Sequence, residues 1–497
     1  MPESVSAHPP TAPSSPAISP PLGPARSTPS RHPLAPLFNT DTVRLRCAAV
    51  LLSVEQNLSA SFRLDRSALD LLARRVTAHL QAQVGAASTF KAPFWQQLQS
   101  GGVDRLAELS QLLSSEPAAE QARAWADLAL LGGLLGADPG PRWRYTEQQA
   151  LPPAAFAQAT PDELLALLDR AGKTPVVANV PLEDSVTASS TPSSTTASTT
   201  PPTTSGGSTG LALATFRAFV AGAFSADKAH PCRADAATLR HVDVAALRAM
   251  LQGTPQNAIH GLEGRAAVLS RLGQLLPARL SDLVLPLRTP AEAGSEAGLG
   301  ASLEVTASAL FKSLLTALTP AWPSAPVQGL PAGDVWSHRW AGEAVGADLG
   351  ANLATDLGTD LGTSGWVPLH AAAQALVGAL ALPLQHAGYG LTGLQTLTAS
   401  ADCNTSALLL AAGVIVPRQQ RLLSQTLKLG DEAVIECRAL TVTLFDELTE
   451  KVSSLLQPAS GTNAAGLQVA EVVHATAAVL AGGGAPSLRI AGDGALF

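Results

Sequence analysis

Apolar residues return at every third or fourth position through most of this chain, and almost nowhere do they alternate with polar ones. In "TDTVRLRCAAVLLSVEQNLSASF" the series Val43, Cys47, Val50, Val54 marks one stripe of a helix, with Thr40 or Asp41 as the expected cap. "DRSALDLLARRVTAHLQAQV" repeats the pattern at Leu69, Leu72, Val76 and Leu80, and "AAEQARAWADLALLGGLLGA" reads as a third, mostly buried helix. Similar stretches follow in "LALATFRAFVAGAFS", "DVAALRAMLQ", "LHAAAQALVGALALPL", "AVIECRALTVTLFDELTEKVSSLL" and "VAEVVHATAAVLAG". Aromatic residues are only 4% of the chain, and alternating strands are scarce; "GVIVP" is the one short strand the pattern suggests. The expected fold class is mainly α: a large multi-helical globular domain, with a disordered tail before it and low-complexity insertions.

Three segments lack this periodicity. Residues 1–37 are rich in Pro and Ser, hold too little apolar surface to pack, and read as a solvated tail; two arginines and no acid after Glu3 also leave an organellar transit peptide conceivable. Residues 185–210, a Ser/Thr/Pro run, read as a flexible insertion. Residues 345–365 repeat a D-L-G-T-like unit whose glycines disfavour a helix, so a surface loop is expected. The apolar helices lie evenly on both sides of the insertion, which points to one helical domain over 38–497.

Composition narrows the function. Hydrophobic residues are 46% and charged residues 14%, against about 25% charged in an average protein. The net charge is −7, so no basic face for nucleic acid or an anionic membrane is implied. No apolar run reaches the ~20 residues of a membrane-spanning helix. Cys47, Cys232, Cys403 and Cys437 are scattered, with no CxxC and no Cys/His pair at zinc spacing; neither a metal nor a cofactor is expected, and a reducing, cytoplasmic setting suits them.

Polar clusters in so apolar a chain are the candidate sites. In "NAIHGLEGRAAVLSRLG" the stripe Leu262, Ala266, Leu269, Gly273, Leu276 faces a core, Glu263 sits in the first turn, and Asn257, Glu263 and Arg265 frame a polar helix mouth. Helix starts offer free N–H groups to anions, and arginine adds a two-pronged partner, although an acid in a first turn equally suits plain capping. "RWRYTE" brings Arg144 and Tyr145 together with Trp143, a combination suited to phosphate and a base-like ring, or to a loop packing its own aromatics. "GDVWSHRW" sets Asp334 two residues before Trp336, as an acid/base group or a helix cap. His370 opens an apolar helix, as a core residue or a substrate contact, and Asp446 reads as solvated. No nucleophile elbow, P-loop or HExxH occurs.

The order of the motifs adds to this. "FNTDTVRLRCAAVL", "GGVDRLAEL", "RWRYTE", "GLALATFRAFVAGAFS", "NAIHGLEGRAAVLSRLG", "GDVWSHRW", "LTGLQ", "ALTVTLFDELTEKV" and "DGALF" together resemble the family called domain of unknown function 1688, that of the fungal uracil-catabolism protein 4. "GLEGR" and "GDVW" are the most specific pieces. The resemblance implies pyrimidine breakdown through a phosphoribosylated, ring-opened intermediate. It suits hydrolysis of the N-glycosidic bond of a ribosylurea-type compound, with Glu263 or Asp334 as catalytic carboxylate. Asn257, Arg265, Arg144, Tyr145, Trp336 and His370 would bind the small-molecule partner, a nucleotide or ribosyl phosphate. The chain also departs from the family: "VPLHAAAQAL" keeps Pro368, His370 and Gln374 but lacks a Lys and Trp, and "STGLA" has Thr209 in place of an acid. A non-catalytic relative that binds or regulates is therefore the second expectation.

Overall fold

The computed structural model describes residues 34–83, 92–147, 203–285, 303–322, 326–341, 365–456, 467–481, 486–492 and 494–495. It is mainly α. The first part runs α1 (Thr40–Glu55), β1 (Phe62–Leu64), α2 (Arg66–Ala82), α3 (Pro93–Gln97), α4 (Arg105–Leu112), α5 (Ala118–Leu135) and β2 (Arg144–Glu147). After it come β3 (Thr203–Gly206), α6 (Gly207–Val220), α7 (Ala236–Leu239), α8 (Val244–Met250), α9 (Leu262–Leu275), β4 (Leu303–Thr306) and α10 (Ala307–Leu318). The rest is β5 (Val335–Ser337), β6 (Trp366–Pro368), α11 (Ala371–His386), β7 (Tyr389–Thr392), α12 (Cys403–Ala411), β8 (Ile415–Pro417), α13 (Arg421–Ser424), β9 (Thr426–Lys428), α14 (Glu432–Leu456), α15 (Val469–Val479) and β10 (Arg489–Ala491).

The apolar stripes become cores. One surrounds the pair α5 and α11 and takes in α6, α9 and α10. These two helices run antiparallel, since Trp125 stacks on His386 at one end while Gly133 meets Leu376 at the other. A second core joins α2, α12, α14 and α15, and a smaller third joins α1, β6 and α14 through Val43, Cys47, Val367 and Ile435. Asn39, one residue before the expected caps, caps α1 by accepting from the Asp41 amide at 2.9 Å.

Among the described residues the strands form five two-stranded ladders, β1–β8, β2–β3 and β5–β6 antiparallel, β4–β7 and β9–β10 parallel. "GVIVP" supplies β8 as expected, while the last four residues of "RWRYTE" form the strand β2 rather than a loop. Two boundaries are corrected. Leu34 and Leu37, inside the expected tail, are buried, because the 3-10 turn Ala35–Leu37 plugs the first core. Residues 203–210, inside the expected insertion, form β3 and the first turn of α6, because their backbone groups pair with β2. Residues 1–33, 185–202 and 345–364 lie outside the described residues. Among those described, no helix is long and apolar enough to cross a membrane.

The 25-residue helix α14 buries charge as well as oil. Glu436 is 1% exposed, and its one hydrogen-bond donor among the described side chains is the Ser59 hydroxyl. Burial pushes its carboxyl up to about 7, against the Ser59 bond and with the Glu432 charge adding. The folded value stands above the ordinary 4.5. The stabilising neutral form is therefore fully present below about pH 4.5 and lost as pH rises through about 7. Urea unfolding should accordingly show stability falling by on the order of 2 kcal/mol from about pH 5 to about pH 8, with Glu436→Gln removing most of that slope.

Candidate functional site

The antiparallel α5/α11 pair has one end where α5 finishes and α11 begins, and the polar motifs collect there. Asp334 lies just before β5, whose register with β6 (Val335 opposite Pro368, Trp336 opposite Val367) brings it to the start of α11. Its carboxylate is 2% exposed and takes four bonds. Arg438 of α14 grips both oxygens, Nη1–Oδ1 at 2.9 Å and Nη2–Oδ2 at 2.6 Å; the Trp336 indole N–H donates at 2.6 Å and the Ala371 amide at 3.1 Å. Burial alone would raise the Asp334 pKa, but the Arg438 charge and hydrogen bonds hold it below the usual range. Asp334 is thus a fixed anion that caps α11 from 37 residues away, and not a proton donor. Trp336 is half-buried, and its N–H serves the same carboxylate.

His370 occupies the cap position of α11 with φ +48°, a left-handed conformation that strains a non-glycine residue. It is 1% exposed between Phe38 and Phe311. Burial pushes its imidazole down to about 4, with Asp334 pulling the other way. The ring is therefore neutral at pH 7. Nε2 lies 3.0 Å from the Leu37 carbonyl, which can only accept, so the proton sits on Nε2. That leaves Nδ1 as a buried acceptor without a hydrogen-bond partner among the described residues. Gln374, one turn on, bridges to Thr398 by accepting from its amide at 2.8 Å.

The second cluster reaches the same end through α5. Arg265 is fully buried, and each guanidinium nitrogen donates to a backbone carbonyl: Nε to Leu135 at 3.0 Å, Nη2 to Ala137 and Nη1 to His260. It thus closes the carbonyl end of α5, a different task from the phosphate clamp the sequence suggested. Asn257 is likewise turned inward, accepting from the Arg144 amide at 2.8 Å and donating to the Arg144 carbonyl at 2.7 Å and the Gln252 carbonyl at 2.8 Å. It fastens β2 to the approach of α9. Tyr145 is 6% exposed and Trp143 fully buried, its N–H on the Leu251 carbonyl at 2.8 Å, so neither offers an open stacking face. Burial also raises the Tyr145 hydroxyl pKa.

Among the candidate site residues, Glu263 and Arg144 face outward. Glu263, in the first turn of α9, is exposed and makes no ion pair with any described residue. Arg144 is exposed, and among the described residues its guanidinium is hydrogen-bonded through Nη1, to the Pro141 and Trp143 carbonyls. Asp138, in the loop after α5, is exposed as well, and its charge is felt at the half-buried Cys403, whose thiol is pushed up to about 12 by burial and Asp402, with Arg438 opposing. The end of α5 and the starts of α9, α11 and α12 therefore lie on one side of the α5/α11 pair and frame one mouth. Among the described residues no group of His, Cys, Asp or Glu is placed to hold a metal ion. A groove of about 660 Å³ between α2 and α14, lined by the Lys451–Asp70 pair, contains none of the candidate site residues.

Sequence reasoning missed Arg438, and it took Asp446 as solvated. Asp446 accepts from Arg44 Nε at 2.9 Å, while Arg44 also donates to the Thr396 and Leu397 carbonyls at 2.8 and 2.9 Å. The signal for Arg438 was a charge inside the apolar run "AVIECRALTVTLF", which burial must pair.

With this geometry in place, comparison with known proteins is informative. The family described as protein of unknown function (DUF1688) matches residues 36–156 and 194–497. The chain belongs to this family. It is similar to Protein urg3 of Schizosaccharomyces pombe, at 24% identity over 436 residues that cover 86% of this chain and 88% of that protein. Every motif residue of the mouth falls within the family match.

The ion pair at the mouth gives a direct test. Arg438→Met leaves a buried carboxylate without its cation and should cost about 3–5 kcal/mol in denaturant unfolding. Asp334→Asn should cost a comparable amount, and the double variant clearly less than the sum, as expected for residues in contact.

Proposed function

We propose that the protein acts in pyrimidine metabolism, in the breakdown of uracil, and that it hydrolyses the N-glycosidic bond of a ribosylurea-type compound at the mouth between α5 and α9. The resemblance of its motifs to the family of the fungal uracil-catabolism protein 4 supports the pathway. The observation that carries a reactive site is the bare, buried Nδ1 of His370 beside the fixed Asp334 anion. A native interior rarely leaves such an acceptor unpaired unless a ligand or water uses it.

In this reading the frame and the working groups are different residues. Arg265, Asn257, Asp334, Trp336 and Arg438 hold the backbone, and Tyr145 packs behind it. Arg144 offers its outer guanidinium edge to a substrate phosphate. Glu263 is the carboxylate free to act, since Asp334 is locked as an anion. In the reaction the sugar C1–N bond breaks and a water oxygen forms the new C1–O bond. Glu263 takes one proton of that water and passes it to the departing urea nitrogen, which restores the carboxylate. Anionic charge at the mouth steadies the oxocarbenium-like sugar between the two events.

The second reading, a relative that binds without turnover, is favoured by the internal saturation of Arg265, Asn257 and Asp334 and by Thr209 where the family carries an acid. Thermal shift with uridine monophosphate and with ribosylurea 5′-phosphate, followed by a urea-release assay, separates the two. Ligand at about 100 times its Kd should stabilise the native state by about 2.7 kcal/mol. Arg144→Ala should weaken that shift, and Glu263→Gln should keep it while losing urea release. Unimpaired turnover in Glu263→Gln would overturn its role, and binding without any urea release would favour the second reading.

A further inference from the structure

The segment after β10 touches the mouth. Its start is tied to the second core. Arg489, Ile490 and Ala491 pair in parallel with Thr426, Leu427 and Lys428, and Leu488 is buried there. Four residues later Ala495 is 4% exposed and belongs to the first core, the one around α5 and α11. Four residues span at most about 14 Å, so the two anchor points, one in each core, lie no farther apart than that.

Gly494 is the point of contact. Its φ is +79°, and a Cβ added to it would stand 2.2 Å from the Gly261 carbonyl oxygen and 2.6 Å from Arg265 Nη1. Glycine is therefore required twice, for the left-handed backbone and for the close approach. Gly261, on the other side of the contact, is itself left-handed at φ +71° and opens α9 without a side-chain cap. A helix start without a cap must be held by other means. Here Arg265 holds it from inside, through the His260 carbonyl, and Gly494 packs on it from outside.

We infer that residues 489–492 and 494–495 act as a strap that holds the first turn of α9 in place, so that docking of the strap sets the shape of the mouth that presents Glu263. This coupling is conformational and stands apart from the reaction assigned above.

The test is amide hydrogen exchange on the full chain, on Gly494→Ala and on a chain lacking 493–497. Peptides covering 258–265 report the mouth, and peptides covering 440–450 in α14 report global stability. The inference expects exchange at 258–265 to rise about ten-fold or more in both variants, with 440–450 unchanged. Unchanged exchange at 258–265 in Gly494→Ala would overturn it. An equal rise in both regions would also count against it, because the segment would then contribute only general stability.

Discussion

A buried salt bridge constrains everything else in this molecule. Asp334 and Arg438 are 2% and 1% exposed, and neither can be left alone at that depth without a cost of several kcal/mol. The pair therefore fixes α14 against the β5–β6 ladder and against the start of α11, whose first amide the same carboxylate caps. From there rigidity passes down the α11/α5 contact to the end of α5, where Arg265 gathers the Leu135 and Ala137 carbonyls and ties them to α9. The three cores meet along this route, with Trp336 touching both the first and the third.

The polar motifs are thus mostly joinery. Arginines serve this well, because the guanidinium stays charged and offers five donors in a planar fork. Arg44, Arg265 and Arg438 each collect one or more backbone carbonyls, and Arg105 adds the Leu98, Ser100 and Val103 carbonyls to its bond with Glu147. A chain this poor in charge concentrates it where irregular backbone must be buried. The groups left over include exposed Glu263 and Arg144 and the Nδ1 of His370, which has no hydrogen-bond partner among the described residues.

Much of the helical framework was legible because 3.6-residue periodicity survives any tertiary context: Val43, Cys47, Val50 and Val54 are all buried as their spacing requires. The strands were not, since most are three or four residues long and offer no alternation to detect. Site geometry was half legible. "GLEGR" and "GDVW" stood out by composition, but whether a charge faces solvent or a partner 104 residues away is a property of the fold. Asn257, Arg265 and Asp334 all turned inward for that reason. His370 gave the opposite lesson, since an apolar helix start hid a strained residue with an unused acceptor.

The most direct measurement is a crystal structure of the protein soaked with ribosylurea 5′-phosphate. Ligand density at the mouth would bear the account out, with the phosphate against Arg144 and the sugar facing Glu263. Density elsewhere, for instance in the groove between α2 and α14, or a mouth left empty at saturating ligand, would contradict it.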